Sequence, residues 1–495
     1  MNEHPPIGGV QRPSQPSAAG RHHTIHQLHP LSRPHCPRIA LAAACAGTLA
    51  LAGAPVQAQA TSSTASPRLV VRFKHGVSAA VRSATLRAAG VARADARVGG
   101  AEVVQARPGV SPAAALTRLR SRRPVAWAER SLRAGAAYVP NDSGVASAAG
   151  PPAGWAAVQW ELTGPFGINA PDAWSQASRL GGSGGRGVVV AVLDSGVAYR
   201  TSGRFARSPD LERSRFVAGY DFIDGDRYPS DEFGHGTFVA SIVGATANNA
   251  YGTVGVAYRS RIMPVRVLDS EGRSDAATIA RGLRYATSRG ADVVNLSLEL
   301  FDAPPLPATP RSVMTSRTVR SALDAARSAG VVVVSATGNS FDLRVPSSRH
   351  DTLAINVGGT TEHGCLGSYS NHGPGLDLVA PGGGFDAQLR GDPKCDPGAV
   401  PGRDVSGVSF ESAAPRMFEM VPGFRGTSSA APHVTGVVAL VLASKVLGSD
   451  PKPRDVERHL ERTARDLGAP GRDRHYGWGL VDAAAATKQR VTPSG

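Results

Sequence analysis

The sequence predicts an α/β fold, a mainly parallel sheet with helices on both faces, preceded by a small α+β unit. Three observations carry this. From Trp155 onward, short β-branched runs alternate with helical stretches, and strand–helix–strand alternation is how parallel strands with crossover helices read. The runs are near-continuous in Val, Ile, Leu and Ala, as strands buried on both faces require. Ahead of them, five short elements are set apart by Ala134–Gly154, a Gly/Ala/Ser/Pro-rich stretch of linker composition.

Taken in order, residues 39–54 (IALAAACAGTLALAGA) are uncharged, follow Arg33 and Arg38, and precede VQAQA. A basic flank, an apolar run and an A-x-A site make a cleavable secretory signal ending after Ala60, and the run falls short of the ~20 residues that span a bilayer. The alternatives are a buried Ala-rich helix or a membrane anchor. Next come a strand at Arg68–Phe73, a helix at Val81–Ala89, a strand at Ala101–Ala106, a helix at Pro112–Arg120 and a strand at Val125–Glu129. Beyond the linker, buried strands are expected at Val188–Leu193, Arg261–Leu268, Val293–Leu298, Val331–Ala336 and Ala354–Val357. Helices are expected at Thr237–Ala247, Asp275–Arg289, Arg317–Ala329 and Ala431–Leu447.

Composition narrows the function. The 495 residues carry a net charge of +15, which taken alone suggests phosphate binding. Its location argues otherwise. Residues 1–140 hold 18 basic and 4 acidic residues, and the remaining 355 hold 36 and 35, so the body of the chain is close to neutral. With no basic stripe interleaved with aromatics, nucleic-acid binding is not expected. The excess of Arg (49) over Lys (5) reads as composition bias. After Ala60 the cysteines are Cys365 and Cys395. In an exported chain an even pair reads as a disulfide, the alternative being two buried thiols, and two thiols alone make no tetrahedral metal site.

Three segments carry chemistry. VVVAVLDSGV ends the first long strand on Asp194, where an acid either caps the next turn or acts at the carboxyl edge of the sheet. DEFGHGTFVASIVGA sets His235 between glycines at the mouth of an apolar helix, weak evidence by itself. GTSSAAPHVTGVVALVLAS puts Ser428 at the N-terminus of another helix, where Ser428 and Ser429 can serve simply as caps. Together, Asp, His and Ser in this chain order, with G-T-S-S-A instead of G-x-S-x-G, separate the chain from α/β-hydrolases.

VAVLDSGV, GHGT, ATGN and GTSSAAPHV resemble the subtilase (subtilisin-like serine protease) family, with support from QWEL, INAPDAW, SYSNHGPGLDLVAPGG and YGWGLVDAAAA. The resemblance implies a subtilisin-like fold and a secreted (extracellular or periplasmic) serine endopeptidase, acting on polypeptides through Asp194, His235 and Ser428, with Asn339 as oxyanion donor. It also implies substrate pairing along Ser297, Leu298 and Glu299. Residues 1–60 are then leader and signal, 61–140 a propeptide that assists folding and blocks the cleft, and 141–495 the peptidase domain, with cleavage in 134–138. The rival reading is a catalytically silent binding protein of the same fold. No cofactor is expected for the chemistry, no stable membrane anchor is expected, and the protein is expected to be a monomer.

The chain departs from the family pattern in places. Phe238 replaces a histidine of HGTHVAG, Ser429 replaces the methionine after the nucleophile, and Glu299 and Leu300 stand where glycines line the primary specificity pocket. Because exposure costs a carboxylate nothing and burial needs a partner, Glu299 is expected to point to solvent, leaving a broad or apolar preference. The minority outcome is a basic preference from an inward carboxylate. Asp210 and Asn249 match ligand positions of a structural calcium site, or are ordinary turn residues.

Overall fold

The computed structural model describes residues 68–489, apart from 94–100, 131–139, 145–153, 302–309, 312–315, 342–344, 346–352, 390–394, 396–399, 411–413 and 421–423. The signal expected within residues 1–60 and the cleavage stretch expected in 134–138 lie outside the described residues. The chain divides into two compact units, residues 1–132 and 133–495.

In the first unit, strands β1 (Arg68–Phe73), β2 (Val91–Arg93), β3 (Glu102–Ala106) and β4 (Val125–Arg130) form an antiparallel sheet in the order β2-β3-β1-β4. Helices α1 (Ala79–Ala89) and α2 (Pro112–Arg120) begin at serine caps, Ser78 and Ser111, whose hydroxyls accept from Val81 and Ala114 N–H. Leu69, Val71, Leu86, Val104 and Leu119 share one core. The sequence reading missed β2, three residues whose pairing with β3 alone makes them a strand.

The second unit is built on strands β5 (Val189–Asp194), β6 (Tyr220–Asp221), β7 (Arg261–Arg266), β8 (Val293–Leu296), β9 (Val332–Ala336), β10 (Ile355–Thr360) and β11 (Leu378–Pro381). Their order is β11-β10-β9-β8-β5-β7-β6 and every pair is parallel. Alternate residues of β5 enter different cores. Val190 and Val192 pack with α3 (Ala170–Arg179), α4 (His235–Gly244) and α7 (Thr427–Ser444), whereas Val189, Ala191 and Leu193 pack with α5 (Ala276–Ser288) and α6 (Arg317–Ser328). A period of two with both faces buried turns a strand into a continuous aliphatic run. Helix α7 is long and apolar enough to cross a membrane, but most of it is buried in this core.

Besides the shifts that bring Asp194 into β5 and His235 into α4, two boundary differences affect the site. Strand β8 ends at Leu296, not Leu298, because no strand among the described residues pairs with residues 297–299. Helix α7 starts at Thr427, not Ala431, which puts Ser428 in its first turn and Pro432 inside the helix, where it has no N–H for the Ser428 carbonyl; the Ser297 hydroxyl donates to that carbonyl instead. Strand β5 has β7 on one side and β8 on the other, so the chain crosses over at β5, a switch point that opens a crevice at the carboxyl ends of the strands.

Candidate active site

Asp194, the last residue of β5, is fully buried at that crevice, and its Oδ1 lies 2.7 Å from His235 Nδ1. The same oxygen accepts the Ser195 N–H at 2.8 Å. With Nδ1–H donating to the carboxylate, His235 Nε2 is left as a basic nitrogen. Burial alone would depress the His235 pKa; the Asp194 carboxylate beside it, and Asp231 farther off, reverse this and hold it above the ordinary value. His235 opens α4 behind Gly234, whose φ of 96° favours glycine.

The sequence reading missed Asp231. Its Oδ1 accepts the Ser195 hydroxyl and the Phe233 and Gly234 N–H groups, and its Oδ2 accepts both donors of Thr237. Ser195 Oγ in turn accepts the Gly236 N–H. This buried carboxylate ties the turn before His235 to the end of β5. In the sequence it is one acid in SDEFG, indistinguishable from a surface turn.

Ser428 is half-buried, and its hydroxyl donates to the Ser297 carbonyl at 3.3 Å. No hydrogen bond joins it to His235 among the described residues, although α4 and α7 pack against each other. Ser297 replies with its own hydroxyl, which donates to the Ser428 carbonyl at 2.9 Å and accepts from Asn295 Nδ2. Asn295 Oδ1 accepts from Thr435 on α7. The end of β8 and the first turn of α7 are thereby fastened together. Asn339, just beyond β9, is oriented by its Oδ1, which accepts the Thr427 N–H at 2.8 Å and the Thr427 hydroxyl at 3.1 Å. The amide NH2 therefore faces away from Thr427. Gly426, at φ 149°, leaves room for this, since a Cβ there would come within 3.2 Å of Asn339 Oδ1.

Glu299 differs from the outward orientation expected. It is partly buried, and its Oε1 accepts the Asn339 N–H at 2.6 Å, which spans the gap between the end of β8 and the end of β9. A Cβ on Gly338 would overlap this carboxylate. The partner that burial demands is a backbone donor 40 residues away, and burial still raises the Glu299 pKa. The Leu298 side chain is buried in the core beside α5 and α6, so only its backbone is left to face the crevice. Phe238 stacks on Phe424 with centroids 3.8 Å apart, and Phe424 lies 6.0 Å from the His235 ring. The Phe238 departure thus comes with an aromatic neighbour that covers the histidine, a role the sequence reading did not assign to Phe424.

Away from the crevice, Asp210 is fully buried and its Oδ1 accepts from Asn249 Nδ2 at 2.9 Å. Its Oδ2 accepts the N–H and hydroxyl of Thr253. A third residue, unforeseen from the sequence, joins them: Asp142 accepts the N–H groups of Asn248 and Asn249. Desolvation pushes Asp210 up to about 7, and the nearby Asp142 charge adds to the rise. Two buried carboxylates offer oxygens to a hard cation, and Asn249 Oδ1 joins them only by giving up the Tyr251 N–H that it accepts at 2.9 Å. Asp377, Glu457 and Glu461 form a second acidic group, approached by Arg327 and Arg472. Cys365 and Cys395 are buried and joined by a disulfide.

The "Subtilase family" model matches residues 185–479. Subtilisin BL of Lederbergia lenta is 34% identical over 324 residues, which are 66% of this chain and 98% of that protein. Alkaline elastase YaB of Bacillus sp. (strain YaB) is 34% identical over 66% of this chain and 71% of its own, and thermitase of Thermoactinomyces vulgaris is 29% identical over 66% and 95%. Among solved structures, a protease of Pseudoalteromonas arctica superposes with a TM-score of 0.52 at 31% identity, over 66% of this chain and 96% of that one. The α/β fold expected from the sequence agrees with these relatives. The chain belongs to the subtilase family and is a serine endopeptidase.

Proposed function

We propose that this endopeptidase cleaves peptide bonds through Asp194, His235 and Ser428, by way of an acyl-enzyme, and that it is made as an exported zymogen. The observation that carries the reading is the 2.7 Å Asp194–His235 contact at the switch point of the sheet, with Ser428 on the helix packed beside it. A serine hydroxyl is a weak nucleophile at neutral pH, so it needs a base. His235 Nε2 takes the Ser428 proton as Oγ attacks the scissile carbonyl, and Asp194 stabilises the imidazolium that forms. For this the Ser428 hydroxyl leaves the Ser297 carbonyl and hydrogen-bonds His235 Nε2 instead. The carbonyl oxygen, now negative, accepts from Asn339 Nδ2 and from the Ser428 N–H, one of the first-turn donors without an intrahelical acceptor. His235 then returns the proton to the leaving amine, and water repeats the cycle on the acyl-enzyme.

Residues 61–140 serve as the inhibitory propeptide and residues 1–60 as leader and signal, which leaves 141–495 as the secreted peptidase. Asp142, Asp210 and Asn249 hold a structural calcium ion, whose charge offsets the two desolvated carboxylates. Ser428→Ala tests the reading. The variant is expected to lose peptide hydrolysis and to accumulate as an uncleaved precursor, and full casein hydrolysis by it would overturn the triad. Asn339→Ala should lower kcat by about 10²–10³ with little change in KM, the magnitude that such a donor has in subtilisin itself.

A further inference from the structure

A cavity of about 820 Å³ opens beside the edge strand β6, between α5 and the segments around Arg200 and residues 213–222. It is separate from the crevice at Asp194: none of its lining residues belongs to the triad. Five arginines line it, Arg200, Arg213, Arg227, Arg281 and Arg289, and no carboxylate does. None of the five forms an ion pair among the described residues. This contrasts with the buried Arg266 nearby, whose guanidinium is spent on Asp221, Asp224 and Glu232.

The arrangement has an origin in the helix. Arg281, Tyr285 and Arg289 are four residues apart along α5 and its C-cap, so all three face the cavity. Aromatic rings hold three of the five cations in place. Arg281 lies over the Phe222 ring at 4.9 Å, Arg289 over Tyr285 at 5.3 Å, and Arg200 over Tyr228 at 4.3 Å. Phe222, Tyr285 and Tyr220 pack on one another with centroids 4.8–5.8 Å apart. The Tyr285 and Tyr220 hydroxyls are spent on the Gly219 and Gly225 carbonyls. Two carboxylates act on lining residues without lining the cavity themselves: Asp226, which accepts the Tyr228 N–H, acts through its charge on Tyr199, and Asp275, which caps α5 through Ala277 and Thr278, attracts Arg281.

Unpaired like charges around one concavity repel, and a guanidinium held over a ring has lost part of its freedom before any ligand arrives. Planar donor forks suit the oxygens of phosphate and sulfate, and one small anion cannot reach five of them across this volume. We infer that this arginine-lined cavity binds a ligand carrying two or more phosphate or sulfate groups, at a site distinct from the peptidase crevice. The chain's Arg bias explains why arginine is the cation available; it does not explain five of them around one cavity with no acid among them.

Titration calorimetry of the full chain with inorganic tripolyphosphate, and separately with a sulfated disaccharide, tests this in low salt. The two arms distinguish a phosphate from a sulfate source, and binding in either supports the site. Arg281→Gln/Arg289→Gln should weaken binding at least tenfold, and binding by the parent should fade with added salt. Arg454→Gln/Arg458→Gln, on the exposed face of Pro453–Thr463, removes the same charge elsewhere and should leave Kd within twofold. All four arginines are exposed, and an unchanged Tm checks that each variant is folded; Arg200→Gln/Arg213→Gln is a second test of the same cavity. Equal weakening by the two helix pairs would reduce the effect to net charge and overturn the proposal, as would failure of both polyanions to bind more tightly than orthophosphate.

Discussion

Glu299 sets a quantitative test of substrate preference. The resemblance places residue 299 in the wall of the primary specificity pocket, and its carboxylate is turned inward against the Asn339 N–H instead of out to solvent. One backbone donor leaves its negative charge largely available to a cationic side chain bound alongside. At an effective dielectric near 20, opposite charges about 4 Å apart attract by about 4 kcal/mol. Glu299 keeps partial solvent contact and a substrate ammonium must shed water, so the net contribution falls to about 1 kcal/mol. That is about fivefold in kcat/KM. The assay compares two fluorogenic peptides that differ only at the residue before the scissile bond, lysine in one and norleucine in the other. The wild-type enzyme should favour lysine by about fivefold, and Glu299→Gln, which keeps an acceptor for Asn339, should erase that preference with norleucine cleavage changed less than twofold. An equal Lys:norleucine ratio in parent and variant would show that the carboxylate does not read the substrate.

Other consequences follow from the same geometry. Because the His235 pKa is raised and catalysis needs the neutral base, the acid limb of kcat/KM should lie above the ordinary imidazole value near 6.5, and Asp194→Asn should move it down while lowering the rate. A limb that stays in place in Asp194→Asn would separate the two residues. Asp210 is raised from 3.8 to about 7, so the folded state holds a proton that the unfolded state has released; without calcium, stability should fall as pH rises between about 4 and 7. Added calcium should restore it and chelation remove it, as read by Tm; no response to either would leave Asp142, Asp210 and Asn249 as turn residues. Replacing both Cys365 and Cys395 by alanine opens a loop with a sequence separation of 30 and should cost about 3–4 kcal/mol in denaturant unfolding. Two alkylatable thiols in the purified, unreduced protein would contradict the bridge.

The sequence by itself determined the layering of the second unit and the approximate place of each central strand. A strand buried on both faces shows as a near-continuous aliphatic run, and Val189–Asp194, Val293–Leu296 and Val332–Ala336, each with a single polar residue, have that property whatever surrounds them. It also singled out Asp194, His235 and Ser428, because each is a polar residue at the end of an apolar element and the three follow in the order Asp, His, Ser. Edge elements did not show in this way. Tyr220–Asp221 and Leu378–Pro381 are strands through their neighbours' hydrogen bonds, and composition does not report a neighbour. The orientation of Glu299 likewise depended on a backbone N–H 40 residues away, and the hub role of Asp231 on three segments meeting at its two oxygens. Asp142 joins Asp210 across a long stretch of chain, and the five cavity arginines, from Arg200 to Arg289, are lost among 49 in the sequence. Burial periodicity and local capping act over a few residues and leave a mark in the sequence. Charge pairing and hydrogen bonding between distant segments act through space, so only the tertiary structure decided them.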